Sequence, residues 1–227
     1  MIADRQLTLE FEHRTSQSGE DFLVADCNRQ AIDWIDAWPH WPAPALVIVG
    51  AAGSGKSHLA AVFAAHSGAR LINANEFEQA AFDVANDLII EDVDRILSPD
   101  LEQPLLHVYN AAKEASHRIL MTAATPPARW GGTLPDLRSR MNAAISVEIG
   151  PPEDTLITAL LVKMFADRQV HVSSDVITYA ASRMERSFLA ARQIVEHADR
   201  LALATKKKIT VPLIKQVLEN LENAGET

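Results

Sequence analysis

The sequence is poor in cysteine, in positive charge and in long apolar runs. Its single cysteine, Cys27, has no intrachain partner for a disulfide, which removes the disulfide-stapled secreted class and suits a reducing compartment. Lys and Arg number 21 against 30 Asp and Glu, a formal net charge of −9. Non-specific grip on duplex DNA draws on cations that neutralise phosphates, so charge alone does not make this chain a DNA binder. The longest strongly apolar stretch, Ala45 to Ala52, is far too short to span a bilayer. The N-terminal MIADRQLTLEFEH lacks a basic segment followed by an apolar core, so no secretory leader is expected. What is present is ordinary globular usage: 48% apolar and 22% charged residues over 227 positions, which excludes a disordered chain and allows one or two domains with a sizeable core. A cytoplasmic protein with no membrane partner is the expectation.

Three segments are expected. Residues 1–21 comprise a short apolar/polar peptide and a polar, Ser- and Gly-bearing tether over 13–21. In 22–150 a helix near Asn28 to Ile35 is stopped by Trp38-Pro39, and strands then alternate with helices. The strands are Ala45–Val49, Arg70–Asn73, Leu88–Ile90, Arg118–Thr122 and Ile145–Ile149. Leu59, Val62, Phe63 and His66, then Leu101, Leu105, Val108 and Ala112, mark helices, and Leu134–Ala143 a shorter one. Such alternation predicts an α/β fold, a parallel sheet with helices on both faces. After Gly150-Pro151-Pro152, residues 151–227 carry only apolar positions spaced by three and four, a small all-α bundle of about four helices.

Gly50-Ala51-Ala52-Gly53-Ser54-Gly55-Lys56-Ser57 matches G-x-x-x-x-G-K-[ST] in full, after a predicted strand and opening a predicted helix. The glycines let backbone N–H groups turn toward phosphate oxygens, Lys56 adds a charge at the β/γ-phosphates, and the Ser57 hydroxyl can ligate Mg²⁺. ADP or ATP with Mg²⁺ is therefore the expected ligand. Leu88-Ile89-Ile90-Glu91-Asp92 is an apolar strand ending in two carboxylates, expected beside the loop, where Glu91 and Asp92 hold the metal shell and orient water. The plain alternative is two acids at a solvated strand end. Asp94 and Arg95 read as loop residues at the surface.

In this order the motifs resemble the AAA+ ATPases, and within them the clade of the bacterial initiator DnaA, over residues 20–222. The resemblance implies a helical lid for 151–227 and a sensor 1 role for Thr122, although the polar residues that often follow are Ala123 and Ala124 here. It likens Arg140, in Leu137-Arg138-Ser139-Arg140, to an arginine finger presented to a neighbour's nucleotide, with Arg138 the weaker candidate. Arg186 is similar to the sensor 2 arginine that touches phosphates; the alternative is an ion pair in the bundle. Asn28, after Phe22-Leu23-Val24, either lines an adenine pocket or caps a helix.

DnaA continues into a basic DNA-binding domain, whereas here the tail LENLENAGET is acidic and Lys206-Lys207-Lys208 reads as a solvated helix end. No sequence-specific DNA binding is expected. Gln6-Leu7-Thr8-Leu9-Glu10-Phe11 resembles the sliding-clamp-binding motif, in which an amide fills a polar site and Leu7, Leu9 and Phe11 enter an apolar cleft; a packed N-terminal flap is the alternative. Together these features resemble the regulatory inactivators within the DnaA clade. The implied partners are DnaA and the DNA polymerase III β clamp, with a homodimer as a further possibility. The implied action is in trans: the chain has weak ATPase of its own at most and stimulates hydrolysis of DnaA-bound ATP, a brake on replication initiation. Other readings are an adaptor or helicase loader that stimulates nothing, and a stand-alone ATPase built on Lys56, Glu91 and Asp92.

Overall fold

The computed structural model describes residues 13–15, 21–82 and 84–225. They divide into two compact units, His13–Gly150 and the residues from Pro151 onward. The first begins with β1 (His13–Thr15), β2 (Asp21–Leu23) and α1 (Asp26–Asp36). It continues with β3 (Ala45–Gly50), α2 (Lys56–Ser67), β4 (Arg70–Leu71), α3 (Phe77–Phe82) and β5 (Leu88–Ile90). Then follow α4 (Val93–Ile96), α5 (Pro99–Glu114), β6 (Ile119–Ala123), α6 (Pro135–Asn142) and β7 (Ile145–Ile149). The fold of this unit is α/β with a parallel sheet, as the alternation predicts.

Every residue of β3, β5 and β6 is buried. Strands apolar on both faces must lie inside a sheet covered by helices, and these do. The sheet order is β4-β5-β6-β3-β7, with all neighbours parallel. One expectation is corrected here: the acidic strand β5 is not next to the loop strand β3. Both edges of β3 are taken, by β6 and β7, with Ile48 opposite Thr122 on one side and Val147 on the other. Helical crossovers allow the chain to skip a place in the sheet, which β6 later fills between β3 and β5. A second correction concerns the tether over 13–21. His13–Thr15 pairs antiparallel with Asp21–Leu23; backbone pairing does not depend on side-chain polarity.

Because the strands are parallel, the N-terminal end of β5 lies opposite the Gly50 end of β3. There Asp87, 7% exposed, gathers three donors. It accepts from Trp38 Nε1 at 2.5 Å, from Arg118 N at 2.9 Å and from His117 Nδ1 at 3.2 Å. Asp87→Ala strands these donors in a partly dry pocket, and a loss on the order of 3 kcal/mol is expected. Urea unfolding should show a lower midpoint at unchanged slope; a shift within about 0.5 kcal/mol would contradict this account.

The second unit is all helical: α7 (Asp154–Asp167), α8 (Ser174–Arg183), α9 (Phe188–Thr205) and α10 (Val211–Gly225). Its core is built from the positions spaced by three and four, among them Leu161, Phe165, Ile177, Val195 and Ile214. Ser187 caps α9 by accepting from Ala190 N at 3.0 Å. No helix among the described residues is long and apolar enough to cross a membrane.

Candidate nucleotide-binding site

Gly50 ends β3 and Lys56 opens α2, so residues 51–55 form the turn between them. Gly53 and Gly55 have φ of +75° and +95°, the left-handed region that glycine enters without a Cβ penalty. At Gly50 an added Cβ would lie 2.6 Å from Ser54 Oγ and 3.3 Å from Ile149 Cβ. Ala51, Ala52 and Gly53 are exposed, so the first N–H groups of α2 sit behind an open turn, the arrangement that receives an anion. Lys56 is 8% exposed, and its Nζ donates to Gly50 O at 2.7 Å and Ala51 O at 3.0 Å. Burial holds its amine below the ordinary lysine range; the carboxylates of Asp92, Asp94 and Glu91 oppose that shift. Ser57 is exposed in the first turn of α2.

Next to this loop in the sheet comes Thr122, on β6, and beyond it the acids. Asp92 precedes α4 in the left-handed region, φ +51°, and its N–H donates to Thr122 Oγ1 at 3.0 Å. The Thr122 hydroxyl keeps its own proton free to donate. Asp94 and Arg95, expected in a surface loop, are in α4 instead. Asp94 is half-buried and accepts from Ala124 N, Thr125 N and Thr125 Oγ1 at 2.8–3.1 Å. It ties the start of the post-β6 segment to the helix after the acid pair. A third acid two places after Glu91-Asp92 was the signal for it.

The residues fit a nucleotide with a divalent ion. Ser54 Oγ and Glu91 Oε1 are buried side-chain oxygens without a hydrogen-bond partner among the described residues. No group of three or more His, Cys, Asp or Glu among those residues can hold a metal unaided. That suits Mg²⁺, which takes one or two carboxylates together with phosphates and water.

The other expected site residues are scattered. Asn28 is buried at the third position of α1; its Oδ1 accepts from Ala25 N and its Nδ2 donates to Leu23 O, both at 2.9 Å. Its amide therefore holds the start of α1. Arg140 is on α6, its side chain 34% exposed and its Nε 3.3 Å from Asp136 Oδ1. Arg138 is exposed on the same helix. Arg186 lies in the helical unit just before α9, exposed and paired with Asp154 at 2.7 Å. Gln6, Leu7, Leu9 and Phe11 fall outside the described residues.

Residues 154–218 match the family model described as "Hda, lid domain". The chain is 24% identical over 227 residues to the chromosomal replication initiator protein DnaA of Campylobacter jejuni, covering 88% of this chain and 52% of that protein. It spans about half the length of the curated relatives it matches. Among solved structures, domain III of the Thermotoga maritima replication initiation protein DnaA superposes with a TM-score of 0.76 at 17% identity, covering 88% of this chain and 94% of that one. AMPPCP-bound DnaA from Aquifex aeolicus gives 0.67 at 18% identity over 92% and 70%. At these identities the superpositions establish the fold alone.

Proposed function

We propose that this chain, an AAA+ protein related to DnaA and with an Hda-type lid, is a regulatory inactivator of the replication initiator. It binds an adenine nucleotide at Gly50–Ser57, pairs with ATP-bound DnaA and presents Arg140 to that partner's γ-phosphate. The observation that carries this reading is the Hda lid match over 154–218 behind a complete phosphate loop. The exposure of Arg140 supports it, because a guanidinium that acts on a second protein must be reachable from outside.

Lys56 and the α2 N-terminus bind phosphate, while Ser57, Glu91 and Asp92 would hold Mg²⁺, which neutralises phosphate charge. Thr122 donates from between loop and acids. Arg186 contributes from the lid only by releasing Asp154, an exposed pair that costs little to break. On the partner's ATP, Arg140 offsets charge that spreads over the γ oxygens as the bond to the leaving group breaks. Gln6–Phe11 dock in the clamp, which raises the local concentration of the pair without adding contacts at the ATPase face.

The test is reconstitution: DnaA-ATP, clamp loaded on DNA, and this chain. Release of phosphate that depends on all three is the expected result; no stimulation rejects the reading. Replacing Gln6, Leu9 and Phe11 together by Ala should remove clamp co-elution and cut stimulation about 10²-fold at limiting protein, the lower range of tethering gains. Persistent co-elution removes the peptide's role. The nearness of Lys56 to Asp92 and Glu91 favours one other reading, a stand-alone hydrolase. Appreciable turnover by the purified chain alone would select it.

A further inference from the structure

The helix that carries Arg140 has no cap of its own. Leu134 stands at its N-cap position, where a side chain cannot accept a hydrogen bond, and Pro135 opens it. A carboxylate from α5 instead binds the two N–H groups that lead into the helix, those of Thr133 and Leu134. The Glu102 carboxylate, on a residue only 3% exposed, accepts from Thr133 N at 2.9 and 3.0 Å and from Leu134 N at 2.5 Å, with Thr133 Oγ1 at 3.4 Å. The turn beside it favours a glycine: Gly132 has φ +145°, which L side chains rarely adopt, although an added Cβ would make only ordinary contact with Glu102, 3.4 Å from its Oε1. Hydrogen bonding from Thr133 holds the Glu102 carboxyl below the ordinary carboxylate range. It is therefore a full negative charge at neutral pH, set at the positive end of α6.

Seven residues further along α5, on the same face of the helix, stands Tyr109, 3% exposed. The Arg140 guanidinium lies 6.0 Å from the centre of its ring, at the outer limit of cation–π attraction. Leu137 and Met141 anchor the underside of α6 in the core at 3% and 2% exposure. The start of the helix, its buried stripe and its arginine are thus each held by a different contact.

We propose that Glu102 and Tyr109 are positioning residues that set Arg140 in its working orientation before a partner arrives. This rests on the finger reading above. Burying a carboxylate is unfavourable unless its bonds are met, and a core contact between α5 and α6 needs no charge at all. The charge gives direction: it fixes the rotation and axial position of a helix only eight residues long. A group that stabilises a transition state works best when it needs no reorganisation at that moment. A misplacement of about 1 Å can cost on the order of 10²-fold in rate.

The experiment measures phosphate release from DnaA-ATP against concentration of this chain, for the parent, Glu102→Gln, Tyr109→Leu and Arg140→Ala. Gln keeps one acceptor oxygen but turns an N–H₂ toward the Thr133 and Leu134 donors. The expected result is a fall of about 10-fold to 10²-fold in the maximal rate for Glu102→Gln. The concentration for half-maximal stimulation and the chain's own nucleotide affinity should stay within about twofold, a split that general loss of structure does not produce. Tyr109→Leu, which keeps the site apolar but removes the ring, should lower the maximal rate in the same pattern by a smaller factor. It also decides the matter if Glu102→Gln does not fold. Unchanged maximal rates in both variants, with Arg140→Ala inactive, overturn the positioning role and leave the finger standing. Undiminished stimulation by Arg140→Ala overturns the finger itself.

Discussion

Arg140→Ala should lose stimulated hydrolysis of DnaA-bound ATP by about 10³-fold or more, the scale on which arginine fingers act in other phosphoryl-transfer proteins. Its own nucleotide affinity should stay within about twofold, because Arg140 is on α6 and no atom of it contacts the loop Gly50–Ser57 among the contacts described. The side chain is 34% exposed and its intramolecular partners are weak: one carboxylate a turn away and a ring 6.0 Å distant. Neither would hold it against a triphosphate. Arg140→Lys should recover little, since an ammonium lacks the planar fork that reaches two oxygens at once. The measurement is phosphate release at saturating variant, alongside titration of the variant with a fluorescent ADP analogue. Equal stimulation by the variant would reduce the chain to a nucleotide-binding relative of the initiator.

Lys56→Ala should lower adenine nucleotide affinity by about 10²-fold or more, the range for removing one member of a desolvated charge pair. In this structure Lys56 Nζ is bonded to Gly50 O and Ala51 O, so it waits at the loop rather than in solvent. Its removal takes away charge at the place where phosphates arrive and leaves the sheet untouched. The clearest reading is thermal: ligand that binds only the folded chain raises the unfolding temperature in proportion to ln(1 + [L]/Kd). Millimolar ADP should stabilise Lys56→Ala less than the parent, by up to about 2.7 kcal/mol for a 10²-fold loss of affinity. An equal nucleotide shift in the variant would place the ligand elsewhere.

Most element positions were legible. The helix over Leu101–Ala112 extends to Pro99–Glu114, and the strand Arg118–Thr122 is displaced by one residue to Ile119–Ala123. The loop residues Gly50–Ser57 lie between strand and helix as their pattern demands, because positive φ angles are written in glycines. Asn28 illustrates a limit: a buried amide three residues from Ala25 N serves a helix start, and an adenine contact leaves no different trace in the sequence. Glu102 was missed although it stood in plain view. It lies three residues before Leu105, on the apolar stripe of its helix, and a carboxylate on such a stripe needs partners that must come from elsewhere.

What the linear order determined is what depends on near neighbours: periodicity of apolar positions, glycine torsions, the phosphate loop and the four helices of the lid. What only the tertiary structure decided depends on distant ones. The placement of β6 between loop and acids is a pairing of segments far apart in the chain. The carboxylates of Asp94 and Glu102 reach backbone N–H groups 30 and 31 residues away. Such pairings have no period to betray them, because a folded chain can satisfy a buried donor with any acceptor that packing brings within reach.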